Sequence, residues 1–555
     1  MITEVTDILV IGTGSAGYCS AIEAARRGRS VLLADKGLAG KSGCTVTAEQ
    51  IAAVIPGMIR GDSAEIHYRD TLEAGKGLSD PALVRIMTEE AHRCIEKLER
   101  LGALFTRNRD GKYALDPMNG HSYPRSLYYK DITGKMIIDT LKAEAERIGV
   151  GVMEDVQIIS LITGDNGVSG AVGLNFRYAQ PVLIRARAVV LASGGAGELF
   201  PLSTNPVQST GDGLILALKA GAVVRDIEFY QFYPVCLVYP KTLSGFVLGI
   251  SQFGRLYNSR GERFMEKHDP VRMESATRDI LSQAIFREIR EGQVGPHGGV
   301  YLDATGLNEE IYEEYSDAIS ITRKHGIDLK IDRVEVRPAG HYAIGGIKIN
   351  EKTETGVPGL FSAGEVTGGI HGANRLGNNS MLDTVVFGMR AGRFAAEYAA
   401  ENGGKKADME QAIGEIKRVK TLSERGVRKY APWQIKKRLQ KIMDEKVGII
   451  KSKDQLVSAG RELKTLEDQL REETGVSARG FFFNRSLRDY LETANLLILA
   501  RAIVLASLER EESRGAHFRE DYPDVVGDEE AVSLEITLEG GDPVLQKRAL
   551  SGETQ

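Results

Sequence analysis

At 555 residues, with 42% hydrophobic content and a mean hydropathy of −0.19, the chain has the length for two or three domains and a large buried core. A net charge of −5 gives no electrostatic ground for binding nucleic acid or an anionic membrane surface. The four cysteines (Cys19, Cys44, Cys94 and Cys236) and the nine histidines fall in no CxxC or HExxH spacing. That argues against structural disulfides, a metal site or an iron–sulfur cluster carried by this chain, and fits a reducing cytoplasm.

No apolar stretch reads as approaching the roughly 20 residues of a membrane helix, so no direct membrane span is expected. The first strand begins too early to leave room for a signal peptide. Ile8 to Ile11 are a short apolar run suited to a buried parallel strand, and Gly12, Gly14 and Gly17 follow in GxGxxG spacing. The next residues, YCSAIEAARRG, read as a helix. In this order Gly12 permits a tight turn, Gly14 lets backbone approach a pyrophosphate, and Gly17 lets helix and strand pack closely. The helix start, with Ser15 and Ala16, offers unpaired N–H groups and a positive dipole end to phosphates. Asp35, closing the run VLLAD, is placed to accept from a ribose hydroxyl. Together these predict a bound dinucleotide.

Lys36 to Val54 is rich in Gly, Ser and Thr. It fits against the phosphates and ring of a flavin, with Lys36, Ser42, Gly43, Cys44 and Thr45 as candidate contacts, and it also fits an ordinary loop. Ser63 to Leu104 reads as helical, with Asp80 as N-cap and Pro81 at the first helical position. Gly120 to Leu141 reads as a polar turn leading into an amphipathic helix, and a small β layer is expected around 155–185. Ala186 to Gly197 (ARAVVLASGGAG) returns a strand beneath the dinucleotide and brings Ala192 and Gly194 to it. A polar loop with Thr204 and Asn205 then leads to Asp212 and a helix.

Residues 1–235 therefore read as the first part of an α/β domain, and 236–340 as an inserted domain of short strands and charged helices. Residues 341–404 return to Gly-rich text with Gly364 and Glu365. A helix beginning near Ser380, with Leu382, aims its N-terminus at the cofactor. Residues 405–530 read as a helical bundle and 531–555 as a short strand pair with a loose tail.

Several motifs in this order, among them GHSYPR, TNPVQSTGDG, NSRGERFMEKH, HYAIGGI, GLFSAGE, HGANRLGNNS and ESRGAHFREDYP, give the chain a wider resemblance. It resembles the flavoprotein subunits of fumarate reductase and succinate dehydrogenase, with L-aspartate oxidase as a relative. The resemblance implies FAD and an α/β architecture: a Rossmann-like FAD-binding domain, an inserted α+β capping domain and a helical C-terminal domain. It also implies a small-molecule substrate and electron exchange with an iron–sulfur subunit or soluble carrier, in the cytoplasm or beside a membrane complex reached through partners. By the same resemblance Arg278 shuttles a proton to substrate, and His341 and Arg375 bind a substrate carboxylate. Cationic groups suit the carbanion charge that hydride addition to a C=C bond builds.

The chain departs from the family pattern at three places. Tyr233-Pro234-Val235 stands where the family writes His-Pro-Thr, so Tyr233 takes a substrate-binding position. Val247 and Ile250 stand where the family has the glutamate and arginine that feed the proton-shuttling arginine. Cys44 stands where respiratory members attach FAD through histidine, so noncovalent FAD is expected. The departures point to an altered pocket for a carboxylate or related small anion. L-aspartate-oxidase-like oxidation, adenylylsulfate-reductase-like sulfur chemistry and a non-catalytic electron conduit remain as alternatives.

Overall fold

The computed structural model describes residues 1–118, 120–164, 167–403 and 408–549. At its centre is a five-stranded parallel sheet in the order Leu360–Ser362, Ala188–Leu191, Ile8–Ile11, Val31–Ala34, Gly151–Met153. Two of the three inner strands, Ile8–Ile11 and Ala188–Leu191, are buried along their whole length, as strands covered on both faces must be. Because all five run the same way, their C-terminal ends share one edge. The turns that begin at Gly12, Asp35, Ala192 and Ala363 therefore open into the same space.

The first turn shows why small residues were needed. Gly12 has φ +110°, and a Cβ there would lie 2.2 Å from the Ala192 carbonyl oxygen; one on Gly17 would lie 2.0 Å from the Gly12 carbonyl oxygen. Helix Ser15–Ala25 packs down on the sheet through this contact, and helix Asn379–Glu401 packs across it.

A second sheet, in the order Ile2–Val5, Gln180–Arg185, Gly167–Asn175, Val156–Gly164, covers the region expected as a β layer. The helix Pro81–Arg100 starts as predicted: the Asp80 carboxylate accepts from the N–H groups of Ala82 and Leu83. The cap is an antiparallel four-stranded sheet, Tyr230–Leu237, Val334–Ala343, Val300–Asp303 and Arg255–Tyr257. Helix Arg278–Arg290 lies against it, and it has a hydrophobic core of its own that includes Ile250, Phe264 and Leu302.

The C-terminal layer holds helices Met409–Glu424, Pro432–Ile442, Lys453–Glu473 and Arg485–Glu509. The last of these corrects the expectation that no segment is apolar and long enough to cross a membrane: by length and composition it is. Its most apolar window is 67% buried inside the protein, against the neighbouring helices. Near its start Glu492 pairs with Lys36 at 3.0 Å, tying this layer to the sheet. Strands Val532–Glu539 and Asp542–Ala549 form a hairpin whose first strand pairs with Val224–Arg225. The expected boundary at 404/405 and residues 550–555 of the expected tail lie outside the described residues.

Candidate active site

The edge of the parallel sheet, the cap and the segment Ser513–Phe518 of the C-terminal layer enclose one continuous cavity of about 2330 Å³. Sites for one small molecule span roughly 300–1,000 Å³, so this space holds a dinucleotide with room for a substrate.

Its lining fits a dinucleotide. A Cβ on Gly14 would meet only the Thr45 hydroxyl, at 3.4 Å, so the backbone at the start of helix Ser15–Ala25 stands open to the cavity. Gln157 Oε1, Ser193 Oγ and Asn205 Oδ1 are buried without a hydrogen-bond partner, and their residues all line it. Polar atoms in that state need a ligand or water to satisfy them. Asp35 sits at the strand end, where its carboxylate accepts from the N–H groups of Thr13 at 3.0 Å and Gly37 at 2.7 Å.

Of the residues expected to hold cofactor, Gly12, Gly14, Ser15, Ala16, Asp35, Lys36, Ser42, Gly43, Cys44 and Thr45 line the cavity. So do Ala192, Gly194, Thr204, Asn205, Asp212, Gly364, Glu365 and Ser380. Two do not. Gly17 faces the turn it packs on. Leu382 is buried in the core, because at about 100° per residue its side chain turns away from the face that carries Ser380, Met381 and Thr384. Lys36 and Asp212 reach the cavity with their charges already matched: Lys36 Nζ donates to Asp212 at 2.8 Å and to Glu492.

At the cap end the four expected catalytic residues come together: Tyr233 and His341 on two paired strands, Arg278 at the start of helix Arg278–Arg290, and Arg375 in the loop before helix Asn379–Glu401. Tyr230–Leu237 and Val334–Ala343 pair so that Gln231 faces Tyr342 and Phe232 faces Gly340. His341 is therefore the extra residue of a β-bulge, a device that re-aims a side chain. Its ring stands edge-on to Tyr233, with centroids 5.5 Å apart. The Arg278 guanidinium lies over the Tyr233 ring, 4.7 Å from its centroid.

His341 Nδ1 meets the Thr204 hydroxyl at 2.8 Å, and Asn205 Nδ2 donates to the His341 carbonyl at 2.8 Å and to Thr204 Oγ1 at 3.4 Å. With Asn205 donating to it, Thr204 can give its own proton to Nδ1, which leaves the Nε2–H as the donor toward the cavity. Burial, then Arg375 and Arg278, hold the His341 pKa well below its ordinary value, so the ring is neutral.

Arg375 is clamped by Gln231, whose Oε1 accepts from Nε at 3.2 Å and Nη2 at 2.8 Å, while Nη1 donates to Ser380. Burial, then the charge of Arg278, lowers the Arg375 pKa to about 10. Among the described residues neither arginine has an ion-pair partner. Burial raises Glu365 to about 7, pushes the Tyr233 phenol up to about 12, and drives the Cys44 thiol far above its ordinary value. Two unpaired guanidinium groups and a neutral imidazole donor thus converge on one polar pocket, an arrangement for an anion with more than one oxygen-bearing end.

Gln231, which clamps Arg375, was missed in the sequence, because an amide in a strand leaves no spacing to read.

The FAD binding domain family matches residues 7–381, and the fumarate reductase flavoprotein C-terminal family matches 436–553. The chain is 40% identical over 529 residues to one of the subunits of the CoM/CoB fumarate reductase of Methanothermobacter marburgensis, covering 93% of this chain and 94% of that one. It is 34% identical over 535 residues to L-aspartate oxidase of Streptomyces coelicolor, covering 93% and 89%. A solved quinol–fumarate reductase with menaquinol superposes with a TM-score of 0.92 at 30% identity, over the full length of both chains. Fold, cavity and sequence agree: this chain is an FAD-dependent oxidoreductase and belongs to the fumarate reductase/succinate dehydrogenase flavoprotein family.

Proposed function

We propose that this protein reduces the C=C bond of a short unsaturated dicarboxylate of the fumarate class. The observation that carries this reading is the pair of arginines, Arg278 and Arg375, without counter-ions beside a neutral His341. Bound FAD supplies hydride transfer between its ring and the substrate. The chain's residues do the rest. Arg375, fixed by Gln231, offers its guanidinium fork to one carboxylate, and the His341 Nε2–H donates to the same end. Arg278 stabilises charge on the carbon that becomes carbanion-like and delivers a proton to it. The Tyr233 ring holds Arg278 in place, and at neutral pH its raised phenol stays a hydrogen-bond donor rather than a charge.

Anaerobic turnover with a reduced viologen dye is expected to convert fumarate to succinate. Oxygen consumption with L-aspartate but no succinate from fumarate would shift the reading to an oxidase.

FAD is proposed to be held noncovalently. Burial and Glu365 keep Cys44 as an unreactive thiol, 4.0 Å from the Ser209 hydroxyl. Acid precipitation should leave the yellow flavin in the supernatant; flavin retained in the pellet would show a covalent link.

The electron partner is proposed to be a separate iron–sulfur subunit or soluble carrier in the cytoplasm. Support comes from the archaeal relative, which is itself one component of a multi-subunit reductase, and from four cysteines that are all free.

A further inference from the structure

A guanidinium that takes a carboxylate with its fork has to be held at its edge and at its face, and Arg375 is held at both. Its side chain has five N–H donors. Gln231 accepts one from Nε and one from Nη2, and Ser380 accepts one from Nη1. One N–H is left on each terminal nitrogen, the pair that a carboxylate needs. Bonds in the plane of the guanidinium do not stop that plane from tilting.

The face is covered by Tyr342, which also lines the cavity. The guanidinium carbon of Arg375 lies 4.8 Å from the centroid of the Tyr342 ring. Tyr342 is the cross-strand partner of Gln231 in the pairing of Tyr230–Leu237 with Val334–Ala343. Residues directly opposite in an antiparallel pair project from the same side of the sheet, with Cβ atoms about 4.5–5.5 Å apart. One strand register thus delivers both groups to one guanidinium. We infer that Tyr342 is a positioning residue, which with Gln231 sets the plane of Arg375 so that its fork meets the substrate carboxylate. This inference rests on the reductase reading above.

The ring is itself braced. Tyr342 Oη donates to Asp383 Oδ2 at 3.4 Å, and His371 Nε2 lies 3.5 Å from the same oxygen. The His371 ring stands edge-on to Tyr342, with centroids 5.6 Å apart. All three side chains are buried. His371 lies just before Arg375 in the same loop, and Asp383 lies in the helix that follows, Asn379–Glu401. The brace and the arginine therefore belong to one segment, and the strand ring sits between them. Burial, then Asp383, pushes the Tyr342 phenol well above its ordinary pKa, so the ring meets the guanidinium as a neutral π face.

The test reads malonate affinity from the flavin spectrum of the holoenzyme, which requires no turnover. Tyr342→Phe keeps the face and loses the brace, and should weaken malonate about 2- to 5-fold, the worth of one hydrogen bond. Pentafluorophenylalanine in place of Tyr342 keeps the shape of phenylalanine and reverses the sign of charge on the ring face. It should weaken malonate by about 10- to 30-fold. Both losses should vanish in an Arg375→Ala background, because Tyr342 acts through that side chain. The fluorinated protein should also reduce fumarate more slowly at saturation, since a tilted carboxylate misplaces the reacting carbon. A fluorinated protein that binds malonate as Tyr342→Phe does, or a loss that persists undiminished without Arg375, would overturn the inference and leave the reductase reading standing. Wild-type protein that binds malonate yet ignores fumarate would remove that reading, and the malonate series would still decide whether Tyr342 orients Arg375.

Discussion

Arg278→Gln is expected to lower fumarate turnover by roughly 10²- to 10⁴-fold while FAD content stays unchanged. The two parts of this result have different causes. Arg278 has no ion-pair partner among the described residues, so its removal breaks no salt bridge. The protein loses the contact with the Tyr233 ring, about 0.5–1 kcal/mol. The fold and the cofactor cavity should survive. The reaction loses both the charge that stabilises the developing carbanion and the proton donor, and glutamine supplies neither. Arg278→Lys restores charge without the fork geometry, so it should recover little of the rate. Flavin absorbance per protein and steady-state turnover check the two halves, and normal turnover in Arg278→Gln would remove this residue from the mechanism.

Arg375→Ala should weaken substrate capture, with kcat/KM falling about 10²-fold or more, as when one partner of a buried charged pair is truncated. Two consequences follow from the geometry. Gln231 Oε1 loses the donors at 2.8 and 3.2 Å that now satisfy it, so some loss comes from a buried acceptor left open. Arg278 loses a repelling neighbour, which offsets only part of the cost. The loss should appear mainly in KM and in the affinity for an unreactive dicarboxylate such as malonate, since Arg375 grips the ground state as well as the transition state. A variant with unchanged malonate affinity would place the carboxylate elsewhere.

The nucleotide half of the site was legible because its chemistry is local in sequence. The apolar run Ile8–Ile11, the spaced glycines and Asp35 each do their work within one βαβ unit, and the sheet brings them to one edge as that pattern requires. The candidate catalytic half could be read only by resemblance, since Tyr233 and His341 meet through strand pairing, while Arg278 opens a helix and Arg375 comes from a loop, and no spacing displays their meeting. The bulge that aims His341 exists only once Tyr230–Leu237 and Val334–Ala343 are in register. Gln231 gave no signal because an amide in a strand is common. Leu382 was misplaced because a motif names consecutive residues, whereas a helix turns them to different faces. Helix Arg485–Glu509 escaped notice because Asp489, Glu492 and Arg501 interrupt its apolar text, while packing buries most of the residues between them.

The most direct measurement is anaerobic and single-turnover: reduce the enzyme-bound flavin chemically, mix with fumarate, and follow absorbance. The account predicts rapid return of the oxidised flavin spectrum with one succinate formed per flavin. A reduced spectrum that persists under saturating fumarate, in enzyme shown separately to bind malonate, would contradict it.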